Sequence, residues 1–155
     1  MDPAYLRAFN SAHAVPQSID EVALGPDSGE NNETTFSFRL RTLEDDRLIG
    51  VVTLHSIEWN NAVAQLALGI GEPEYRDKGY GADALALILR YAFDELNLYR
   101  VGLEVMGDNE PAVKLYEKAG FQREALQREA VQRDGQHVDM ILMSLLRPEW
   151  AGSQQ

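Results

Sequence analysis

Between Thr34 and Thr42 apolar and polar residues alternate. Phe36, Phe38 and Leu40 fall on one side, and Thr35, Ser37, Arg39 and Arg41 on the other. A period of two marks a strand with one buried face. Glu44-Asp45-Asp46 supplies a turn, and Arg47–Ile57 reads as the second strand of a hairpin. Trp59-Asn60-Asn61 turns the chain into a third strand, Ala62–Ile70. The period then changes. In Ala82–Leu96, the residues Leu85, Ile88, Leu89, Ala92, Phe93 and Leu96 recur at helical spacing. Arg100–Val105 predicts a short strand. Asp108-Asn109 followed by Pro111 marks a helix start, a capping side chain with proline in the first turn. Gly120 stops that helix after Ala112–Ala119. Phe121–Val131 and Gln136–Leu146 read as strands on either side of an Asp134-Gly135 turn.

The order β-β-β-α-β-α-β-β predicts an α/β or α+β domain around a sheet of mixed direction. A Rossmann arrangement is excluded, because the glycine-rich turn follows a meander and no βαβαβ half is visible. The chain has 155 residues, the length of one domain. Residues 1–33 are the least regular. Asp2-Pro3 could open a short helix through Phe9, and Ser18-Ile19-Asp20-Glu21 could cap a turn. Gly25-Pro26-Asp27-Ser28-Gly29 and Asn31-Asn32 are loop signals.

Charge narrows the chemistry. Fourteen basic against 25 acidic residues give a net charge of −11, spread along the chain. Duplex nucleic acid is therefore an unsuitable partner, since phosphate binding needs a basic face. A cationic amine would be attracted, although the charge also serves solubility. The absence of cysteine excludes disulfides, thiolate metal sites and a cysteine nucleophile. His13, His55 and His137 have no metal-like spacing, so no metal site is expected. No apolar run is long enough for a membrane span, and the N-terminus lacks a signal-peptide pattern. A cytoplasmic location is the default expectation.

The stretch Arg76-Asp77-Lys78-Gly79-Tyr80-Gly81 joins the third strand to the first long helix. A glycine-rich turn opening a helix suits a phosphate group: its N–H groups point outward and the helix dipole favours negative charge. Glycine allows close backbone approach. Alone the pattern also describes a tight turn that holds no ligand.

The same stretch resembles the Arg/Gln-x-x-Gly-x-Gly/Ala pattern of the GNAT family of N-acetyltransferases. Asn109-Glu110-Pro111-Ala112-Val113-Lys114-Leu115-Tyr116-Glu117-Lys118-Ala119-Gly120-Phe121 is similar to that family's Asn-x-x-Ala-x-x-x-Tyr-x-x-x-Gly-Phe helix. The ending Arg133 to Asp139 through Met143, then Glu149-Trp150, resembles the ribosomal-protein, polyamine and aminoglycoside branch. The resemblance covers about Thr34–Trp150. It implies an acetyl-CoA-binding sheet, mixed and split into a V, with the pantetheine arm slotted in as if it were a strand. Leu66–Gly71 would be the splaying strand, and Gly69, Ile70 and Gly71 would offer the arm their free backbone groups. Arg76, Asp77, Lys78, Gly79, Tyr80 and Gly81 would hold the pyrophosphate, and Asn109 would touch the cofactor while capping its helix. Residues 1–33 would then be an N-terminal segment of the acceptor site, 34–150 the acetyl-CoA-binding domain and 151–155 a tail. The family's usual first strand has no counterpart, which leaves Thr34–Thr42 as an edge that invites pairing with a second copy.

Acetyl transfer to an amine requires loss of the ammonium proton, a donor for the oxyanion and an acid for the departing thiolate. In the family the tyrosine matching Tyr116 points at the cofactor sulfur, so Tyr116 is the candidate acid; helix packing is its alternative role. Glu104 resembles the glutamate that ribosomal-protein acetyltransferases use as base. Burial would raise its pKa toward the useful range; a solvated strand glutamate is the alternative. Gln65 stands where related sequences often carry glutamate, and glutamine cannot take a proton. A backbone N–H near Ile70 would serve the oxyanion. The expected activity is acetyl transfer from acetyl-CoA to a small amine or a protein N-terminal amine by direct attack. The competing reading is a non-catalytic acyl-CoA-binding module, suggested by Gln65 and the short N-terminal segment. Trp59 and Trp150 are expected to pack.

Overall fold

The computed structural model describes residues 33–71, 74 and 78–154. The expectations for residues 1–32, and for Arg76 and Asp77, lie outside them. Six strands form one sheet: β1 (Phe36–Arg41), β2 (Leu48–Glu58), β3 (Val63–Ile70), β4 (Arg100–Met106), β5 (Gln122–Arg133) and β6 (Gln136–Leu146). Their spatial order is β1-β2-β3-β4-β6-β5. Only the central β3–β4 pair is parallel, and the other neighbours are antiparallel. Among the described residues each predicted strand and helix is present, with strand ends moved by at most two residues.

The parallel pair is short. Val63 faces Arg100, Ala64 faces Val101 and Gln65 faces Gly102, and there the pairing stops. β3 continues to Ile70, held by β2 as far as Gly50. β4 continues to Met106, held by β6 as far as Met140. The two strands therefore diverge from Gln65 and Gly102, each still paired with its outer neighbour. This is the expected V, opening at Leu66.

One face of the sheet carries the main core, and Val51, Met106 and Met140 are buried on the other. Val52, Leu54, Leu66, Val101, Leu103, Ile141, Met143 and Leu145 pack against α1 (Tyr80–Arg90) and α2 (Glu110–Lys118). Leu85, Ile88 and Leu89 are the buried stripe of α1. Burying each such side chain contributes about 1.5–3 kcal/mol. The predicted helix to Leu96 does not run unbroken. After Arg90 it widens into a π-helical turn, Tyr91–Glu95, closed by the Leu96 N–H donating to the Tyr91 carbonyl at 3.0 Å. Asn97, at φ 59°, then ends it. The wider turn keeps Ala92 and Phe93 fully buried, a re-aiming that simple 3.6-residue periodicity does not anticipate.

At the Asp134-Gly135 turn both residues have positive φ, 49° and 77°, as a tight hairpin of this kind requires. β1 is less buried than its alternation predicts. Phe36 and Phe38 lean edge-on against Tyr91, with centroids 6.0 and 5.3 Å away, and Phe38 stays 37% exposed. A further helix, α3 (Arg147–Ser153), which the sequence reading did not anticipate, runs from the end of the expected domain into the expected tail of 151–155. It seats Trp150 against Phe93, with centroids 5.1 Å apart, so Trp150 packs as expected. Trp59 is 47% exposed; its ring meets Phe36 and its Nε1 donates to the Glu33 carbonyl at 2.6 Å.

Candidate active site

The divergence of β3 and β4 leaves the inner edges of both strands facing one another. In an antiparallel pair, backbone groups point alternately toward and away from the partner. The Gly71 N–H donates to the Ile49 carbonyl on β2 at 2.8 Å. Gly71 and Gly69 therefore turn their backbone groups outward, away from the V. Leu68 and Ile70 turn theirs into it. This corrects one expectation. Of Gly69, Ile70 and Gly71, Ile70 turns its backbone toward the V, and the Gly71 N–H is bonded to β2. On the other side, the Gly107 N–H donates to the Asp139 carbonyl on β6 at 2.8 Å. By the same alternation Gly102, Glu104 and Met106 present their backbone groups to the V.

The turn before α1 is described from Lys78 onward. Gly79 is the N-cap residue, left-handed at φ 86°, with no side chain to accept from the first-turn N–H groups. Among the described residues, a Cβ at Gly79 would meet nothing within 4 Å. Lys78 and Gly79 are exposed and Tyr80 is half-buried. These features fit an anionic group at the helix N-terminus. Gly81 lies where the two helices meet. A Cβ there would lie 3.4 Å from Leu115 Cδ2, so α2 packs closely on the start of α1.

That contact brings the two sequence motifs together, because Leu115 precedes Tyr116. Asn109 caps α2, its Oδ1 accepting from the Ala112 N–H at 3.4 Å, as the sequence predicts. Gly120, at φ 104°, ends the helix. Tyr116 is 7% exposed and lies in the core cluster, its ring edge-on to Phe121 at 5.7 Å. Tyr116 thus stands on the helix-covered side of the V.

Glu104 lies on the opposite face. Register places His55, Gln65, Gly102, Ser144 and Gln122 in one row across β2, β3, β4, β6 and β5. Thr53, Ala67, Glu104 and Leu142 form the next row on that face. The Gln65 carboxamide lies over Gly102, where a Cβ would be 3.0 Å from its Nε2. It covers the point at which the V opens. Glu104 is exposed, so the burial expected of it is not present. His55, read from sequence as an isolated surface residue, is half-buried beside Gln65, its Nδ1 3.0 Å from Ser56 Oγ. His137 is exposed. Among the described residues no group of three or more His, Asp or Glu side chains is placed to hold a metal.

An ionic network on the same face has no local signature in the sequence. Arg100, at the first rung of β4, makes a two-pronged ion pair with Glu124, Nη2 donating to Oε2 at 2.7 Å and Nη1 to Oε1. Ser144 Oγ donates to Glu124 Oε1 at 2.6 Å. Hydrogen bonds from Arg100 and then Ser144 pull the Glu124 carboxyl down to about 2. The same pair raises Arg100. The three residues are 20 or more positions apart, so only strand register could have revealed them.

Comparison with known proteins agrees with this arrangement. Residues 2–122, more than half of the chain, match the family model for the acetyltransferase (GNAT) domain. N-acetyltransferase p20 of Bacillus licheniformis is 29% identical over 143 residues, covering 92% of this chain and 76% of that protein. Spermidine N(1)-acetyltransferase of Vibrio cholerae is 33% identical over 103 residues, 66% of this chain and 59% of that protein. A crystal structure of spermidine N-acetyltransferase from Vibrio cholerae in complex with CoA and spermine superposes with a TM-score of 0.80 at 26% identity, covering 94% of this chain and 85% of that one. With its V-split mixed sheet and both motif helices in place, the chain belongs to the GNAT family of acetyl-CoA-dependent N-acetyltransferases.

Proposed function

We propose that this protein moves an acetyl group from acetyl-CoA to a primary amine that carries further positive charge, by direct attack in a ternary complex. The observation that carries the reading is the V between β3 and β4, whose pairing ends at Gln65 and Gly102. Two strand edges that diverge inside a sheet can receive an extended chain bearing amides, by strand addition. Acetyl-CoA supplies the pantetheine arm and an acyl group already activated as a thioester. The Ile70 backbone, aimed into the V, would bind the arm and donate to the oxyanion. The α1 N-terminus at Gly79, with Arg76, Asp77, Lys78, Tyr80 and Gly81, would hold the pyrophosphate. Asn109 would border the cofactor from the start of α2.

The acceptor would approach from the polar face, where Glu104 stands at the rim of the V. Glu104 would take the ammonium proton, directly or through water, and Tyr116 would protonate the thiolate from the helix-covered side. Base and acid would thus act from opposite faces of β4. The net charge of −11 would draw a cationic amine, and residues 1–33 would complete its site. The spermine-bound Vibrio cholerae structure supports a polyamine in particular. Thiol release from acetyl-CoA, followed across polyamines, aminoglycosides and peptide N-termini, tests the proposal. Turnover is expected with a polyamine. Turnover on no amine despite CoA binding would replace it with the non-catalytic module.

A further inference from the structure

The last residues of β3 do not lie flat against β2. Gly50 pairs with Ile70, and Val51 with Gly69. A Cβ built on Gly50 would fall 2.1 Å from the Gly69 carbonyl oxygen and 3.1 Å from both the Gly69 carbonyl carbon and the Ile70 Cα. No real side chain tolerates the first distance, and the obstructing atoms are backbone. Gly50 shares its strand face with Val52 and Leu54, the face covered by α1. The Gly69 carbonyl therefore tilts out of the sheet toward that face, into space that only a glycine at position 50 leaves open. Beyond it the Gly71 N–H is held by the Ile49 carbonyl at 2.8 Å, and Arg47 Nη1 reaches Glu74 Oε1 at 3.1 Å. Residues just before Gly50 thus hold the chain where it leaves β3.

From this geometry we infer that Gly50 is a positioning residue for the acyl-CoA site. The inference rests on the reading that the V holds acyl-CoA. By admitting the Gly69 carbonyl, Gly50 lets β3 bend toward α1, which sets the direction of the Ile70 backbone. Gly50 lies on the far side of β3 from the V and would touch no ligand. Alanine at this position would need the Gly69 backbone to move by about 1 Å to reach even a tight 3.0 Å contact. Displacement of that size at a positioned ligand is enough for a loss on the order of 100-fold in rate.

Calorimetry with CoA on the full chain, wild type and Gly50→Ala, well below the melting temperature of each, tests this. Wild type is expected to bind CoA and the variant at least about tenfold more weakly. The KM for acetyl-CoA should rise in parallel while the KM for the amine stays fixed. A purely structural role would reduce the folded fraction and hence kcat, and move neither KM. Equal CoA affinity in the two proteins would overturn the inference alone. A wild type that does not bind CoA would overturn the acyl-CoA reading and this inference with it. Should Gly50→Ala not fold, hydrogen exchange of wild type at the Gly71 amide decides: slower exchange with CoA supports coupling between the bend and the ligand, and unchanged exchange refutes it.

Discussion

On the helix-covered face of the sheet, Leu54, Ala92, Phe93, Leu98 and Val101 are fully buried and shed their side chains into one continuous core. On the other face, Gln65, Glu104, Gln122 and Glu124 remain in reach of solvent. The two faces share the same strands: Val101 and Leu103 alternate with Gly102 and Glu104 along β4. Splitting the sheet lets both faces meet in one place. In the proposed reaction Tyr116 would act from the apolar side and Glu104 from the polar side, with the V between them. The helix-covered face holds most of the core, while the other face buries Val51, Met106 and Met140 yet also carries exposed charged groups.

If that division is right, damage to the two faces separates in the measurements. Phe93→Ala removes a fully buried ring that also supports Trp150. It should cost about 3–5 kcal/mol in denaturant unfolding. Folded variant should keep its KM values. A loss below 1 kcal/mol would mean that the core does not depend on the π-helical turn that presents Phe93. Glu104→Gln, on the exposed face, should do the reverse. kcat is expected to fall about 100-fold with the unfolding midpoint unchanged. An unaltered kcat would pass the base role to another group, with half-buried His55 next to Gln65 as the first to examine.

Tyr116 tests where the two faces join. Tyr116→Phe keeps the ring that packs on Phe121 and deletes only the hydroxyl. As the acid, it should lower kcat by tens-fold, with little change in CoA affinity, read by steady-state kinetics and calorimetry. Unchanged kcat would leave Tyr116 a core residue and nothing more.

The apolar face was largely legible beforehand, because its signals are local. Alternation in Phe36–Leu40, the helical spacing from Leu85 to Phe93, Asn109 as a cap and Gly120 as a stop each need only a few neighbouring residues. α3 escaped notice because Leu146, a poor capping residue, precedes it. Its cap comes instead from Glu149, whose Oε2 accepts from the Leu146 N–H at 2.9 Å. The polar face was legible only in part. Glu104 and Tyr116 were reached through motifs, but Arg100, Glu124 and Ser144 meet through register across three strands, and nothing local marks them. The outward turn of the Gly71 backbone likewise depends on which β2 residue it faces.

A smaller effect is expected at Asn109. Its hydrogen bond to the Ala112 N–H is long, at 3.4 Å. Asn109→Ala should cost about 1 kcal/mol or less of stability by thermal unfolding. A larger drop in CoA affinity than in stability would show that this cap also borders the ligand. Equal small losses would confine it to the apolar side of the comparison.

The Arg100–Glu124 pair gives the smallest effect and the one most specific to the polar face. Its carboxyl sits at about 2 when folded, below the ordinary glutamate value of 4.5. A depressed carboxyl stabilises the folded state above the unfolded pKa, because the unfolded chain binds the proton first as pH falls. Its contribution should therefore be complete above about pH 5 and vanish as pH falls from 4.5 through 2. With Glu124 37% and Arg100 34% exposed at the side chain, solvent screens the pair, so the amplitude should be modest. Urea unfolding of wild type and Glu124→Gln at a series of pH values isolates it. Their stability difference should be flat from pH 5 to 7 and close steadily below 4.5. A difference that persists unchanged to pH 2 would mean that Glu124 acts through the shape of its contacts with Ser144 and Arg100, as a core residue does, and not through its charge.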